Sequence, residues 1–569
     1  MKKKFSLNIL LALVVSLGMV SCDKWLAESP ESFIGPDQVE DSEDGVNVWL
    51  TGVYSNYLDD MFRWAWFPFV LELDSDYISG PDWFMGTMGA GNFQSAEMVS
   101  GMWKCCYNLI VDSKLAQRSI AAMTNISDKV KNNALGELYF HEAFAYFMLV
   151  RAYGPVPIMK QDVMSGGTYN NPRASVADVY AHIVALLEDA AGKMYSRSDA
   201  SYQAGHVSAA SAAGLLAKVY ATMASAAMPV DTPVTVRSGN GIAATYDEEV
   251  AGETVTKYYP LINNTFYKTA VAGYEAMDPD VLYGKAAQWA KKVMDGDYGM
   301  VELSTYDNLW KASNRDASEF LFSVQSLAGE QIYRTQVHLY YAGVFSAAAG
   351  GYITTGLWLG NTYNWYRLFD EDDYRINQGI LHLWQQSFQT DYNGYYFYPI
   401  TLKEELESLA DGNTYQYSYD SYNLAFTTKY SDVTDVTAEN SDSAYPFLRL
   451  ADVMLIYAEA QNELGETDEA VNALNLVRKR SNANLLEGAI GRDALRSAIL
   501  EERAKELACE SDRRWDLIRW GIYIDAMNAI CRDDSGVNKQ RSEKHLLFPI
   551  PQEEINSNTQ INTNNPGWN

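Results

Sequence analysis

The sequence predicts a mainly α protein: a tetratricopeptide-like scaffold of about four helix pairs, carrying long loop and short-strand insertions. Three observations predict it. Apolar residues recur at helical spacing in several long stretches. Small residues stand where paired helices must approach closely. The stretches between are long and rich in Gly, Asn, Tyr and Trp, with only brief β-like runs.

The clearest pair is LRLADVMLIYAEAQNELG, Leu448 to Gly465, followed by ETDEAVNALNLVRKRS. Leu450, Met454 and Tyr457 share one helical face. Gly465 closes this helix, and Asp468 and Glu469 put carboxylates at the start of the next, where the helix dipole favours them. Ala458, Gly465 and Ala470 are the small residues that a tetratricopeptide unit needs at its close contacts. Further helices are predicted over ALGELYFHEAFAYFMLVRAYG, Ala134 to Gly154, and from Ser175, His206 and Tyr283 onward. Trp103 lies in a helical context and reads as core.

Three insertions interrupt this framework, Asp74 to Ser100, Met228 to Pro279 and Leu327 to Ala444, within one α-rich domain spanning residues 22–569. Loops of that length inside a domain carry function or strands of their own. EFLFSVQS, Glu319 to Ser326, and GYYFYPI, Gly394 to Ile400, read as strands. HLYY, His338 to Tyr341, fits a strand equally well.

At the N-terminus Lys2, Lys3 and Lys4 precede an apolar run from Leu7 to Val20 that ends at Ser21-Cys22. This is a signal peptide over residues 1–21, too short to span a bilayer. The segment resembles bacterial lipoprotein signals, which makes Cys22 the lipid acceptor and anchors the chain by acyl groups. Cys105, Cys106, Cys509 and Cys531 imply no disulfide framework and read as structural thiols, free or partly paired, with Cys509 and Cys531 the candidate pair.

With 44 basic against 73 acidic residues, a net charge of −29, the chain repels phosphate backbones, and nucleic acid is excluded as a partner. Neutral sugars suit it better than acidic ones. No GxSxG, HExxH or Walker-type GxxxxGK occurs, and Gly86 to Gly91 does not complete GxGxxG. No catalytic residue, cofactor or metal site is therefore assigned, and the protein reads as a binding protein, not an enzyme. A surface glycoside hydrolase remains an alternative, because paired carboxylates leave no local motif. A protein-binding tetratricopeptide adaptor is the third reading.

Two charged segments invite chemistry but have structural readings. FDEDDYR, with Asp370, Glu371, Asp372 and Asp373, has the oxygen ligands of a hard-cation site but lacks the Gly and distal Glu of an EF-hand; an acidic turn, either solvated or paired with Arg375, fits it better. ERAKELACESDRRWDLIRWG, Glu502 to Gly521, interleaves Arg503, Arg513, Arg514 and Arg519 with carboxylates around Trp515. Ion pairs about a buried indole explain that pattern.

Aromatic side chains are abundant: 14 Trp, 39 Tyr and 20 Phe, many in Gly- and Asn-rich segments. A pyranose lays its C–H face on such a ring while amides and carboxylates meet its hydroxyls. Two clusters stand out. One is DSDYISGPDWFMGTMGAGNFQ, with Trp83, Phe84 and Asn92, and the other runs from Tyr333 to Trp365.

YPFLRLADVMLIYAEAQNELG, the Glu502 to Gly521 block and LLFPIPQEEINSNTQINTNNPGW, Leu546 to Trp568, stand in the order and spacing of the SusD/RagB family. RAYGPVPI at Arg151, FDEDDYR and TTKYSD at Thr427 agree, so the chain resembles that family from Cys22 to its end. The resemblance implies a tetratricopeptide-like scaffold, outer-membrane attachment at the cell surface through the N-terminal Cys, and a role as lid on a TonB-dependent, SusC-like transporter. It also implies capture of an oligosaccharide on loop aromatics, for which position in the family points to Trp83, Tyr341 and Trp358, with Phe84 and Asn92 beside Trp83.

Overall fold

The computed structural model describes residues 38–62, 66–162, 165–238, 245–250, 252–258, 260–327, 335–346, 353–386, 394–417, 423–438, 441–533 and 535–568. The signal peptide and Cys22 lie outside the described residues. No described helix is long and apolar enough to cross a membrane.

Among the described residues, nine helices carry the framework: α1 (Glu43–Asn56), α2 (Glu97–Ala122), α3 (Asp128–Tyr153), α4 (Val176–Lys193), α5 (Ala209–Ala227), α6 (Pro279–Met294), α7 (Leu450–Leu464), α8 (Thr467–Arg480) and α9 (Arg492–Glu506). From α1 to α8 each packs on the next, and α9 returns to α7. This is the helical-repeat logic the sequence predicts, in which each apolar face is buried by a neighbouring hairpin. The chain passes directly from α6 to α7 in space although 156 positions separate Met294 from Leu450 in sequence, so the largest insertion is looped out of a continuous helical stack.

Local chemistry sets the helix ends. Ser127 caps α3 by accepting from the Val130 N–H at 3.2 Å, and Ser175 caps α4 by accepting from Asp178 N–H at 3.1 Å. Asp278 caps α6, with Pro279 as its first residue. Gly465 ends α7 at φ 91°, a left-handed conformation that glycine adopts without steric cost. Ala458 and Ala470 are fully buried at the α7–α8 contact, as their size predicts.

The axis of the stack is α3, whose residues from Phe140 to Tyr153 are all buried. A helix apolar on every side must be covered on every side. Two of its polar residues find partners within the core: Tyr57 Oη lies 2.8 Å from His141 Nδ1, and Glu142 meets Lys114 at 2.8 Å and His182 at 3.0 Å. Trp103 of α2 is buried against Tyr153, as expected.

Strands flank and fill the insertions. Phe320–Val324 pairs antiparallel with Tyr445–Arg449, which feeds straight into α7. Pro233–Ser238 pairs with Ile262–Tyr267, and Thr245–Val250 with Glu253–Tyr258. A five-stranded sheet is assembled in the order Tyr415–Tyr417, Tyr395–Phe397, Leu383–Gln386, Ile353–Thr355, Val344–Ser346. The HLYY segment is a helical turn, Val337–Tyr341, not a strand.

The charged blocks are interior framework. Arg449, fully buried, bridges Glu319 at 2.8 Å, Glu506 at 3.0 Å and Glu510 at 2.6 Å. Arg503 joins Asp452 to Asp516, Arg519 joins Asp516 to Glu459, and Trp515 is buried among them. Burial alone would raise the Glu506 carboxyl, but Arg480, Arg449 and Arg375 hold it far below the usual carboxylate range. Arg375 is itself buried on Asp373, Glu502 and Glu506, which is the paired acidic turn expected of FDEDDYR. Cys106, Cys509 and Cys531 are free thiols.

Candidate functional site: an aromatic platform

The first insertion leaves the core through a buried acidic anchor. Burial would raise the Asp74 carboxyl, but Arg541 and Arg514 outweigh it and keep the group ionised, with the Tyr523 hydroxyl donating to it. Arg541 then reaches on to the Gly89 carbonyl at 2.6 Å. The loop after Trp83 is thereby tied to the core by a charge-assisted hydrogen bond at its far end.

Beyond Asp74 the chain forms a two-residue strand, Ile78–Ser79, paired antiparallel with Gly360–Asn361. This pairing joins the two aromatic-rich insertions. Gly80 follows, and a Cβ there would sit 2.2 Å from the Trp358 carbonyl oxygen, so only glycine permits the approach. A short helix, Asp82–Met85, then presents Trp83 and Phe84.

The second insertion is clamped to the Val337–Tyr341 turn by backbone hydrogen bonds. Leu357 N–H donates to the Leu339 carbonyl at 3.2 Å, and Trp358 N–H to the Tyr340 carbonyl at 2.9 Å. Leu357 takes φ 57°, a left-handed conformation costly for a branched side chain and sustained only by such surrounding bonds. Its effect is to turn Trp358 toward Trp83.

The result is a packed group of rings. Trp83 and Trp358 meet edge to face at 5.0 Å, Phe84 lies 5.8 Å from Trp83 and 5.5 Å from Trp358, and Tyr340 lies 4.8 Å from Trp358. Phe69, on the helix Trp66–Glu72, backs the group at 4.9 Å from Phe84 and 4.7 Å from Tyr340. Burial grades across it: Phe69 and Tyr340 are interior, Phe84 and Trp358 half-buried, and Trp83 is 65 % exposed. The exposed indole, held by its own neighbours, presents an amphipathic ring face to solvent.

Three of the five residues expected to contact ligand, Trp83, Phe84 and Trp358, are thus brought together. Two are not. Tyr341 is fully buried against Tyr430, at 5.2 Å, and burial pushes its phenol well above the ordinary range. The reason is the helical turn: successive side chains on a helix diverge by about 100°, so Tyr340 faces the platform and Tyr341 the core. Asn92 is exposed but spends its side-chain N–H on the Gly86 carbonyl at 2.8 Å, bracing the loop. Sequence reasoning missed Tyr340 and Phe69. Reading HLYY as helix would have separated Tyr340 from Tyr341; Phe69, in an ordinary apolar run, gave no signal.

Two family models match the chain: one described as starch-binding associating with outer membrane, over residues 24–221, and one described as the SusD family, over residues 358–568. Together they span more than two thirds of it. SusD-like protein P2 of Formosa agariphila is 24% identical over the full length of both chains. A SusD-like protein of Bacteroides ovatus is 23% identical, covering 75% of this chain and 66% of that one. Among solved structures, a SusD homolog from Bacteroides thetaiotaomicron superposes with a TM-score of 0.72 at 21% identity, covering 94% of this chain and 98% of its own. Surface glycan-binding protein A from Bacteroides fluxus superposes at 0.65 and 18% identity, covering 93% and 100%. Helical stack, insertions and both family matches agree, and the chain belongs to the SusD/RagB family.

Proposed function

We propose that this protein is a cell-surface glycan-binding lipoprotein that captures an oligosaccharide on the Trp83–Phe84–Trp358 platform and hands it to a partner TonB-dependent, SusC-like outer-membrane transporter without cleaving it. The observation that carries the reading is the graded ring cluster, with an indole 65 % exposed at its outer edge. A sugar ring stacked there gains dispersion and C–H contact on one face, while its hydroxyls remain in water or meet loop polar groups.

The energetics suit transfer. Each stacked ring contributes about 0.5–1.5 kcal/mol, and two or three such contacts plus hydrogen bonds, less the cost of association, give a Kd of about micromolar to millimolar. Ligand held that weakly is released readily. The name of the Bacteroides fluxus neighbour supports glycan as ligand, and the family description naming the outer membrane supports the location. The Lys2–Cys22 segment supports a lipid anchor at Cys22.

A glycan array followed by calorimetry and product chromatography tests the reading. Saturable binding with no new reducing ends is the expected result. Turnover would make the protein a hydrolase, and binding to no glycan would favour an adaptor. In the native host, co-purification of a TonB-dependent transporter and loss of membrane retention in Cys22→Ala are expected; wild-type retention of that variant would remove the anchor.

A further inference from the structure

A cavity that shares no residue with the ring platform opens between the end of α3, the start of α4, the segment after Ile262–Tyr267 and the C-terminal block. Its volume is about 500 Å³. Val176, Val271 and Ile524 supply apolar wall, and Arg151, Trp515 and Lys544 supply donors.

Arg151 is the anomaly. It is 7% exposed, and among the described residues it forms no ion pair: its hydrogen bonds go to the Phe147 carbonyl at 3.3 Å and the Met148 sulfur at 3.0 Å. Its guanidinium lies 3.9 Å from the Phe147 ring and 5.2 Å from Trp515. Such contacts offset only part of what burying an unpaired charge costs. Asp512 and Asp516 favour the charge from a distance, but they are spent on Lys218, Arg503 and Arg519. A buried guanidinium that lines a cavity and has no carboxylate at ion-pair distance among the described residues is a binding group in waiting.

Two further donors stand on the same cavity. The Trp515 indole N–H is buried with no hydrogen-bond partner among the described residues. Lys544, half-buried and lining the cavity, lies over Trp568 at 4.7 Å and forms no ion pair among the described residues. Thr222 spends its hydroxyl on the Lys218 carbonyl, Arg519 is paired with Glu459, and Glu543 is exposed to solvent. In a chain of net charge −29, an apolar chamber carrying two cations without carboxylate partners is built for an anion with an apolar body.

We propose that this cavity binds a small amphipathic carboxylate, an aliphatic chain ending in a carboxylate, with Arg151 and the Trp515 N–H receiving the carboxylate and the apolar wall the chain. The planar guanidinium matches a carboxylate in a two-pronged arrangement, and the chain displaces water from apolar wall. The site is independent of the glycan platform, so either can fail without the other.

Calorimetric titration of the purified protein with octanoate, with 1-octanol as the uncharged control, tests it. Saturable octanoate binding is expected, at least about tenfold tighter than octanol. Arg151→Met, which keeps an apolar stem and removes the charge, weakens octanoate by about tenfold or more and leaves octanol unchanged; Lys544→Gln weakens octanoate less. Should Arg151→Met fail to fold, Val271→Trp, which fills the cavity from a half-buried position, is expected to abolish octanoate binding. Absent saturation, equal affinity for octanoate and octanol, or undiminished octanoate binding in Arg151→Met or in the filled variant would each overturn the proposal.

Discussion

The indoles of Trp83 and Trp358 meet edge to face, with centroids 5.0 Å apart and planes at 83°. They come from different insertions and touch because Ile78–Ser79 and Gly360–Asn361 zip those insertions together behind them. The ring surface is thus a product of tertiary pairing, and its variants sort by whether they lie at the exposed edge, support the rings or lie in the core.

Tyr340 and Tyr341 make the sharpest contrast. The Tyr341 hydroxyl is buried without a partner among the described residues, and an unpaired buried hydroxyl costs about 1–3 kcal/mol. Tyr341→Phe is therefore expected to leave glycan affinity unchanged and to hold or raise the melting temperature. Tyr340→Ala removes the ring behind Phe84 and Trp358 and is expected to lower both affinity and stability. Paired calorimetry and thermal melts on the two variants check this; a loss of glycan binding in Tyr341→Phe would contradict it.

Arg449 tests the interior ion network. Replacing it with Met leaves Glu319, Glu506 and Glu510 short of their shared cation, and breaking a buried pair in this way costs about 3–5 kcal/mol. The exposed α6 pair, Lys291 and Asp295 at 3.0 Å, is the control, since such surface pairs contribute about 0–1 kcal/mol. Urea denaturation of Arg449→Met and Lys291→Met should separate by several kcal/mol, and similar midpoints would show that the network adds nothing.

Glu72 tests the pH response. Burial pushes its carboxyl up to about 8 from an ordinary 4.5, despite the Ser511 N–H it accepts. Between those values the folded chain keeps a proton that the unfolded chain has lost, so the contribution of Glu72 to stability is present below pH 4.5 and falls as pH rises toward about 8. Glu72→Gln keeps an acceptor for Ser511 and removes the titration. Its melting temperature should exceed that of the wild type at pH 9 and converge with it near pH 5; parallel curves would refute the assignment.

How far the sequence reveals this protein depends on the range of the interactions. Ser175 and Gly465 announce helix ends because capping acts within a turn, and Ala458 and Ala470 announce helix contacts because size does. The strand at Phe320–Val324 was legible from its alternation-free apolar run. Arg514 could be assigned to ion pairing, yet its partner Asp74 lies 440 positions away, and no local pattern names it. The platform shows the same limit. Trp83 and Trp358 stood out as rings in polar loops, but their contact depends on a strand pairing two residues long, and the exchange of Tyr341 for Tyr340 turned on whether five residues coil or extend.

The central claim is that Trp83 binds sugar and does not hold the fold together. Being 65 % exposed, its truncation should remove little packing, whereas a buried Trp costs about 3–5 kcal/mol on truncation to Ala. The most direct measurement is calorimetric titration of Trp83→Ala with the array-identified glycan, alongside a thermal melt of the same sample. Binding at least about tenfold weaker is expected, since about 1.4 kcal/mol is a factor of ten, with a melting temperature close to that of the wild type. Wild-type affinity in a folded Trp83→Ala variant would contradict it.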